Sequence, residues 1–105
     1  MMQTIRNHVT LVGNMGSPAR ITNFDSGAKV ARFQLATNKN PRGKNSEPEW
    51  HRVFAWGNLA GFIENYGDKG KQLAIHGRLV NRTYTSKEGD LRKVTEVEVK
   101  HVIGL

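Results

Sequence analysis

The chain has 105 residues, enough for one hydrophobic core and too few for a second, so residues 1–105 are expected to form a single domain. Sixteen Lys and Arg against nine Asp and Glu give a formal charge of +7, which favours polyanionic partners, and the absence of cysteine excludes disulfides, thiolate catalysis and thiolate zinc sites. No run of about eighteen apolar residues occurs and Met1 to Asn7 lacks a signal-like apolar stretch, so a soluble cytoplasmic protein with no membrane association is expected.

In chain order, His8 to Val12 is an apolar run closed by Gly13, Gly16 and Pro18, and Arg20 to Phe24 is a second short piece closed by Asp25, Ser26 and Gly27. Lys29 to Thr37 alternates, with Ala31, Phe33 and Leu35 on one face and Arg32 and Gln34 on the other, as in a half-buried strand. Asn38 to Glu49 has no large apolar residue and reads as a flexible loop of about a dozen residues, a length typical of functional loops. Trp50 to Trp56 is again a strand, stopped by Gly57. Leu59, Phe62, Ile63 and Tyr66 then follow the helical i, i+3, i+4, i+7 spacing, with Asn58 as N-cap and Gly67 as stop. Leu73 to Tyr84 and Val94 to Ile103 alternate once more around a hairpin turn at Ser86 to Gly89. The expected fold is all-β: a five-stranded barrel with one short helix between strands three and four, the OB-fold arrangement.

The segment Glu49 to Gly57 (EWHRVFAWG) carries most of the chemical information. Alternation puts Trp50, Arg52, Phe54 and Trp56 on one face and His51, Val53 and Ala55 on the other. A narrow barrel cannot hold the larger set, and an unpaired Arg inside it would cost several kcal/mol, so the smaller set is expected to face inward. Exposed Trp and Phe are unfavourable in water by roughly 1.5 to 3 kcal/mol each relative to burial, so something should cover them. Unstacked bases suit this role, because every base has a π face. Basic residues accompany the row: Arg32, Arg78 and Arg82 on strands, Lys39, Arg42 and Lys44 in the long loop, and Lys87 and Arg92 near Tyr84 in the last hairpin. Aromatic platforms in a cationic groove bind single strands, whereas reading a duplex takes a helix or ribbon in the major groove, and none is expected here.

Other constellations carry no chemistry. His8, His51, His76 and His101 fall on separate segments with no close ligand pair, so no metal is expected, and the glycines of VGNMGSP lack the Gly-Lys-Ser/Thr ending of a phosphate loop. Glu96 and Glu98 are expected on one exposed face. No nucleophile, base and orienter occur together, so the chain is read as a non-enzyme with no catalytic residues and no cofactor.

The segments VTLVGNMGSPAR, DSGAKVARFQLAT, EWHRVFAWGNLA, YGDKGKQLAIHGRL and RKVTEVEV resemble, in order and spacing, the OB domain of bacterial single-stranded DNA-binding proteins over nearly the whole chain. The resemblance implies base stacking by Trp50, Trp56 and Tyr84, with Arg52 and Arg82 near phosphates, while Phe54 falls where that family has an aliphatic residue. It also implies sequence-tolerant binding and protection of single-stranded DNA in replication, repair and recombination, nucleoid association, and a homo-oligomer, a tetramer in preference to a dimer.

Two departures matter. Pro41 stands where many members have a further stacking aromatic, and the sequence to Leu105 does not include the flexible linker and acidic tip through which members commonly recruit replication and repair enzymes, so the resemblance does not carry that recruitment over. The alternative reading is an OB-fold primosome or accessory module that binds another protein through its aromatic face and nucleic acid weakly.

Overall fold

The structure, a computed structural model, describes residues 6–38 and 47–105. Its elements in chain order are β1 (Val9–Met15), β2 (Arg20–Asn23), β3 (Lys29–Asn38), β4 (Pro48–Trp56), α1 (Asn58–Tyr66), β5 (Gln72–Thr85) and β6 (Leu91–Gly104). The strands pair in the order β1-β5-β6-β4-β3-β2, and a further β1–β3 pairing at Asn14↔Ala36 and Met15↔Leu35 makes β1, β5, β6, β4 and β3 a closed ring. β2 lies outside it as the hairpin partner of β3. Counted along the chain, the ring strands are β1, β3, β4, β5 and β6, and α1 falls between the third and the fourth, as an OB fold requires. All pairings are antiparallel except β4–β6, where Val53↔Val97 and Phe54↔Glu98 run parallel.

The period-2 alternation of the strands fills the ring. Ala31, Phe33 and Leu35 of β3, Val53 and Ala55 of β4, Leu73 and Ile75 of β5, and Val97 and Val99 of β6 all belong to one buried cluster. Ala60 and Ile63 of α1, both 0% exposed, join it. Burying a side chain of Ile63's size stabilises the fold by about 1.5–3 kcal/mol, which is what holds a nine-residue helix too short to persist alone.

Three expectations need correction. The N-cap of α1 is Gly57, not Asn58: the chain turns there at φ 63°, a conformation only glycine adopts without strain, and Asn58 is the first helical residue. Phe62 is 38% exposed and stacks on Tyr66 at 5.3 Å between ring centroids, while Ala60 takes the buried place beside Ile63. Asn38, Pro48 and Glu49 pair within β3 and β4 rather than lying in a loop. The expected C-terminal stop is present: the Gly67 N–H donates to the Ile63 carbonyl at 2.7 Å and the chain leaves in extended conformation.

β5 and β6 contain a register shift that alternation alone does not foretell. His76 pairs with His101 and Gly77 with Val99, so Lys100 is an extra residue, and beyond it the faces of β6 exchange. Val97 and Val99 point into the core, while His101 and Ile103 (62% exposed) point out.

Candidate nucleic-acid interface

The outer faces of β3, β4, β6 and β5 form one continuous surface. Its rows are set by register: Ala36↔Trp50, Gln34↔Arg52 and Arg32↔Phe54 across β3 and β4, then Phe54↔Glu98, and Arg78↔Glu98 and Val80↔Glu96 across β5 and β6. Residues paired in this way share a face, so Arg32, Trp50, Arg52, Arg78, Arg82 and Tyr84 stand on it together.

Val53 is 1% and Ala55 0% exposed, so the smaller residues of β4 do face inward. Trp50 and Trp56, 52% and 43% exposed, bracket the strand, about 20 Å apart at some 3.3 Å per residue. Each ring has one supported face. The Trp50 indole lies against Gly16, where a Cβ would come within 2.8 Å of its Cη2. Trp56 stacks on Phe24 with ring centroids 5.9 Å apart. Tyr84 is 41% exposed on the protruding β5–β6 hairpin, with the Arg82 guanidinium 5.6 Å from its ring centroid. Phe54 shares the outward face of β4 but is only 8% exposed, because the Arg32 guanidinium covers its ring at 5.2 Å. The row Trp-Phe-Trp is therefore two separated platforms with a cation over the middle ring.

An open groove of about 520 Å³ is lined by Arg20, Arg32, Arg52, Arg82 and Glu96, among others. Arg52 is exposed and makes no ion pair among the described residues. Arg32 and Arg82 both pair with Glu96, at 2.7 and 3.0 Å. Arg78 and Lys100 share Glu98, at 2.9 and 3.5 Å. Glu96 is thus not an exposed carboxylate as alternation suggested: it is 5% exposed beneath two guanidiniums. Lys87 and Arg92 are exposed at and near the tip of the hairpin, with Arg92 opposite Tyr84. Lys39, Arg42 and Lys44 lie outside the described residues, as does Pro41.

Arg20 is the groove residue that sequence reasoning missed. It stands directly opposite Arg32 in the β2–β3 hairpin. The turn at Asp25-Ser26-Gly27 could have revealed it, since a hairpin centred there sets residue 20 against residue 32.

A second cluster was also missed. His8, His76 and His101 lie far apart in sequence but meet on the outer face of β1, β5 and β6: His76 Nε2 is 2.8 Å from His8 Nδ1, and His76 Nδ1 is 3.0 Å from His101 Nδ1. The expectation of scattered histidines fails because it takes β-pairing and the Lys100 bulge to assemble them. Each contact needs one N–H donor and one bare nitrogen, so the three rings carry at most one extra proton with both contacts kept. Partial burial, then the neighbouring His8 and His101, hold His76 below the usual histidine range. Among the described residues no group of three or more His, Asp or Glu side chains is arranged to hold a metal ion, and no helix is long and apolar enough to cross a membrane.

The sequence of residues 6–105 matches the model of the single-strand binding protein family. The chain is 34% identical over 102 residues to the single-stranded DNA-binding protein of Bacteroides thetaiotaomicron, 40% over 96 residues to single-stranded DNA-binding protein 1 of Chlorobaculum tepidum, and 33% over 101 residues to single-stranded DNA-binding protein 1 of Xylella fastidiosa. These alignments take in 91%, 87% and 91% of this chain and 63%, 59% and 74% of the respective relatives, so the chain spans about three-fifths of the length of the first two.

Proposed function

Because this chain belongs to the single-strand binding protein family, we propose that it binds single-stranded DNA on the outer face of β3, β4, β6 and β5 without catalysis and with little regard to sequence. One observation carries the reading: Trp50 and Trp56 remain 52% and 43% exposed, each backed on one side and open on the other, on the same face of β4 as Arg52, which lines an arginine-rich groove. Bases stack on Trp50, Trp56 and Tyr84, each stacked base contributing about 1–3 kcal/mol. Arg52, Arg82, Arg32 and Arg20 hold phosphates along the groove, and Arg78, Lys87 and Arg92 extend the cationic track along β5 and the hairpin. A duplex keeps its bases stacked on one another and offers no free base face to the exposed rings, so duplex should bind far more weakly. The test is a fluorescence titration with oligothymidine and with duplex of equal length at two salt concentrations. The relatives are named for single-stranded DNA binding, which favours this reading over an accessory module that binds protein.

The wider role we propose is coating and protecting single strands in replication, repair and recombination, in the cytoplasm at the nucleoid. The assembly we propose is a homo-oligomer, with a tetramer favoured, built on β1. Among the described residues β1 pairs with β3 only at Asn14 and Met15, so Val9–Gly13 presents an open edge. Beside it stand Thr10, Val12 (52% exposed), His76, His101 and Ile103, none of them a lysine, arginine or carboxylate, in a chain of charge +7. An open antiparallel edge flanked by an uncharged face is complementary to itself about a two-fold axis, and pairing removes a liability.

A further inference from the structure

A phosphate-binding groove gains nothing from a negative charge as such, yet this one is built over a carboxylate. Glu96 is 5% exposed; its Oε2 accepts from Arg32 Nη1 at 2.7 Å and its Oε1 from Arg82 Nε at 3.0 Å. Both arginine side chains stay accessible, at 42% and 46%. A guanidinium has five N–H donors in a rigid fork. Glu96 accepts one from each, and the remainder are available to a ligand. The same tether sets where the cations rest: Arg32 over Phe54 at 5.2 Å and Arg82 at 5.6 Å from Tyr84. It also relieves a conflict, because Arg20 and Arg32 are like charges placed directly opposite on β2 and β3.

We propose that Glu96 is a positioning residue for phosphate binding: it fixes Arg32 and Arg82 in the groove before the strand arrives, and binding weakens when its charge is removed. The inference rests on the reading of this face as the single-strand surface. It has an opposite in simple electrostatics. If only net charge counted, replacing Glu96 by Gln would strengthen oligothymidine binding by about twofold, since a repulsive charge is gone. If positioning counts, two long side chains must be ordered at the moment of binding, each costing roughly twofold to tenfold in affinity, so the variant binds about fivefold or more weakly.

The experiment measures labelled oligothymidine by anisotropy against wild type, Glu96→Gln, Arg82→Lys, the Glu96→Gln/Arg82→Lys double variant and Arg52→Gln, with a thermal melt of each. We expect Glu96→Gln and Arg82→Lys each to weaken binding, the second with charge unchanged because a lysine lacks the fork, and the double variant to lose less than the product of the two. Unchanged or tighter binding by Glu96→Gln, or multiplicative losses in the double variant, overturns the inference. Should Glu96→Gln melt without cooperativity, Arg82→Lys decides, and wild-type affinity there overturns it. Arg52 does not touch Glu96 and tests the face itself: lost affinity in Arg52→Gln upholds the face, whereas unchanged affinity removes the face and this inference together.

Discussion

The indole of Trp50 rests on Gly16 with no room between them: a Cβ on Gly16 would fall 2.8 Å from Trp50 Cη2 and closer still to Cζ3. The glycine after β1 therefore supports one face of an exposed ring on β4. Gly16→Ala should displace the ring, alter its emission in the free protein, and weaken oligothymidine binding by up to the value of one stacked base, about 1–3 kcal/mol. Steady-state fluorescence with a titration checks both; unaltered emission and affinity would show that the ring does not depend on this support.

Trp56 and Ile63 stand only a helical turn or two apart in sequence but should respond oppositely to truncation. Trp56 is 43% exposed, with Phe24 on one face, so Trp56→Ala should reduce binding by about 1–3 kcal/mol with a modest effect on folding. Ile63 is 0% exposed, so Ile63→Ala should cost about 2–5 kcal/mol of stability. Urea melts and titrations on both variants separate the roles, and a large stability loss in Trp56→Ala with intact affinity would make that ring structural.

The histidine chain should make stability depend on pH in one direction. His76 is lowered in the folded protein, by partial burial and then by His8 and His101, from an unfolded value of about 6.5. Among the described residues the groups in hydrogen bonds or ring contact with it are those two imidazoles, and His8 in turn meets the Thr10 hydroxyl, so no carboxylate touches the ring to offset a charge. The folded state thus binds the proton less readily than the unfolded one. Its contribution is present above about pH 6.5 and is lost as pH falls toward the lowered folded value. Tm should drop from about pH 7.5 to 5.5, and the drop should be smaller in His76→Gln. An equal drop in the variant would assign the acid sensitivity elsewhere.

Assembly through β1 predicts that Val12→Lys, which puts a charge beside the open edge on the uncharged face, lowers the mass seen by light scattering while each subunit stays folded. Val12 is 52% exposed in the single chain, so the substitution removes little from its core. An unchanged mass would place the subunit contact on another face.

Much of this architecture was legible because a strand's alternation reports burial directly. Ala31, Phe33 and Leu35, or Val53 and Ala55, announce an inward face wherever the strand lies. The outward placement of Trp50 and Trp56 followed from the same rule together with the narrowness of a small barrel. What alternation cannot report is what covers an outward residue. Phe54 and Glu96 both face out and both are buried, one under Arg32 and the other under Arg32 and Arg82, through contacts between strands distant in sequence. Nor does it foresee an irregularity: the extra residue at Lys100 turns His101 outward beside His76, and Gly57 precedes the helix at φ 63° and ψ −127°, a combination outside the left-handed helical region that asparagine tolerates.

Exposed rings and tethered arginines on one face should hold unstacked strands and discriminate against duplex. Titrating intrinsic Trp fluorescence with oligothymidine, and separately with duplex, over a range of salt tests it most directly. The expected result is strong quenching by oligothymidine, much weaker binding of duplex, and a log-log salt slope of roughly −3 to −4 from about four to six neutralised phosphates. Equal affinity for duplex, or an affinity indifferent to salt, would contradict it.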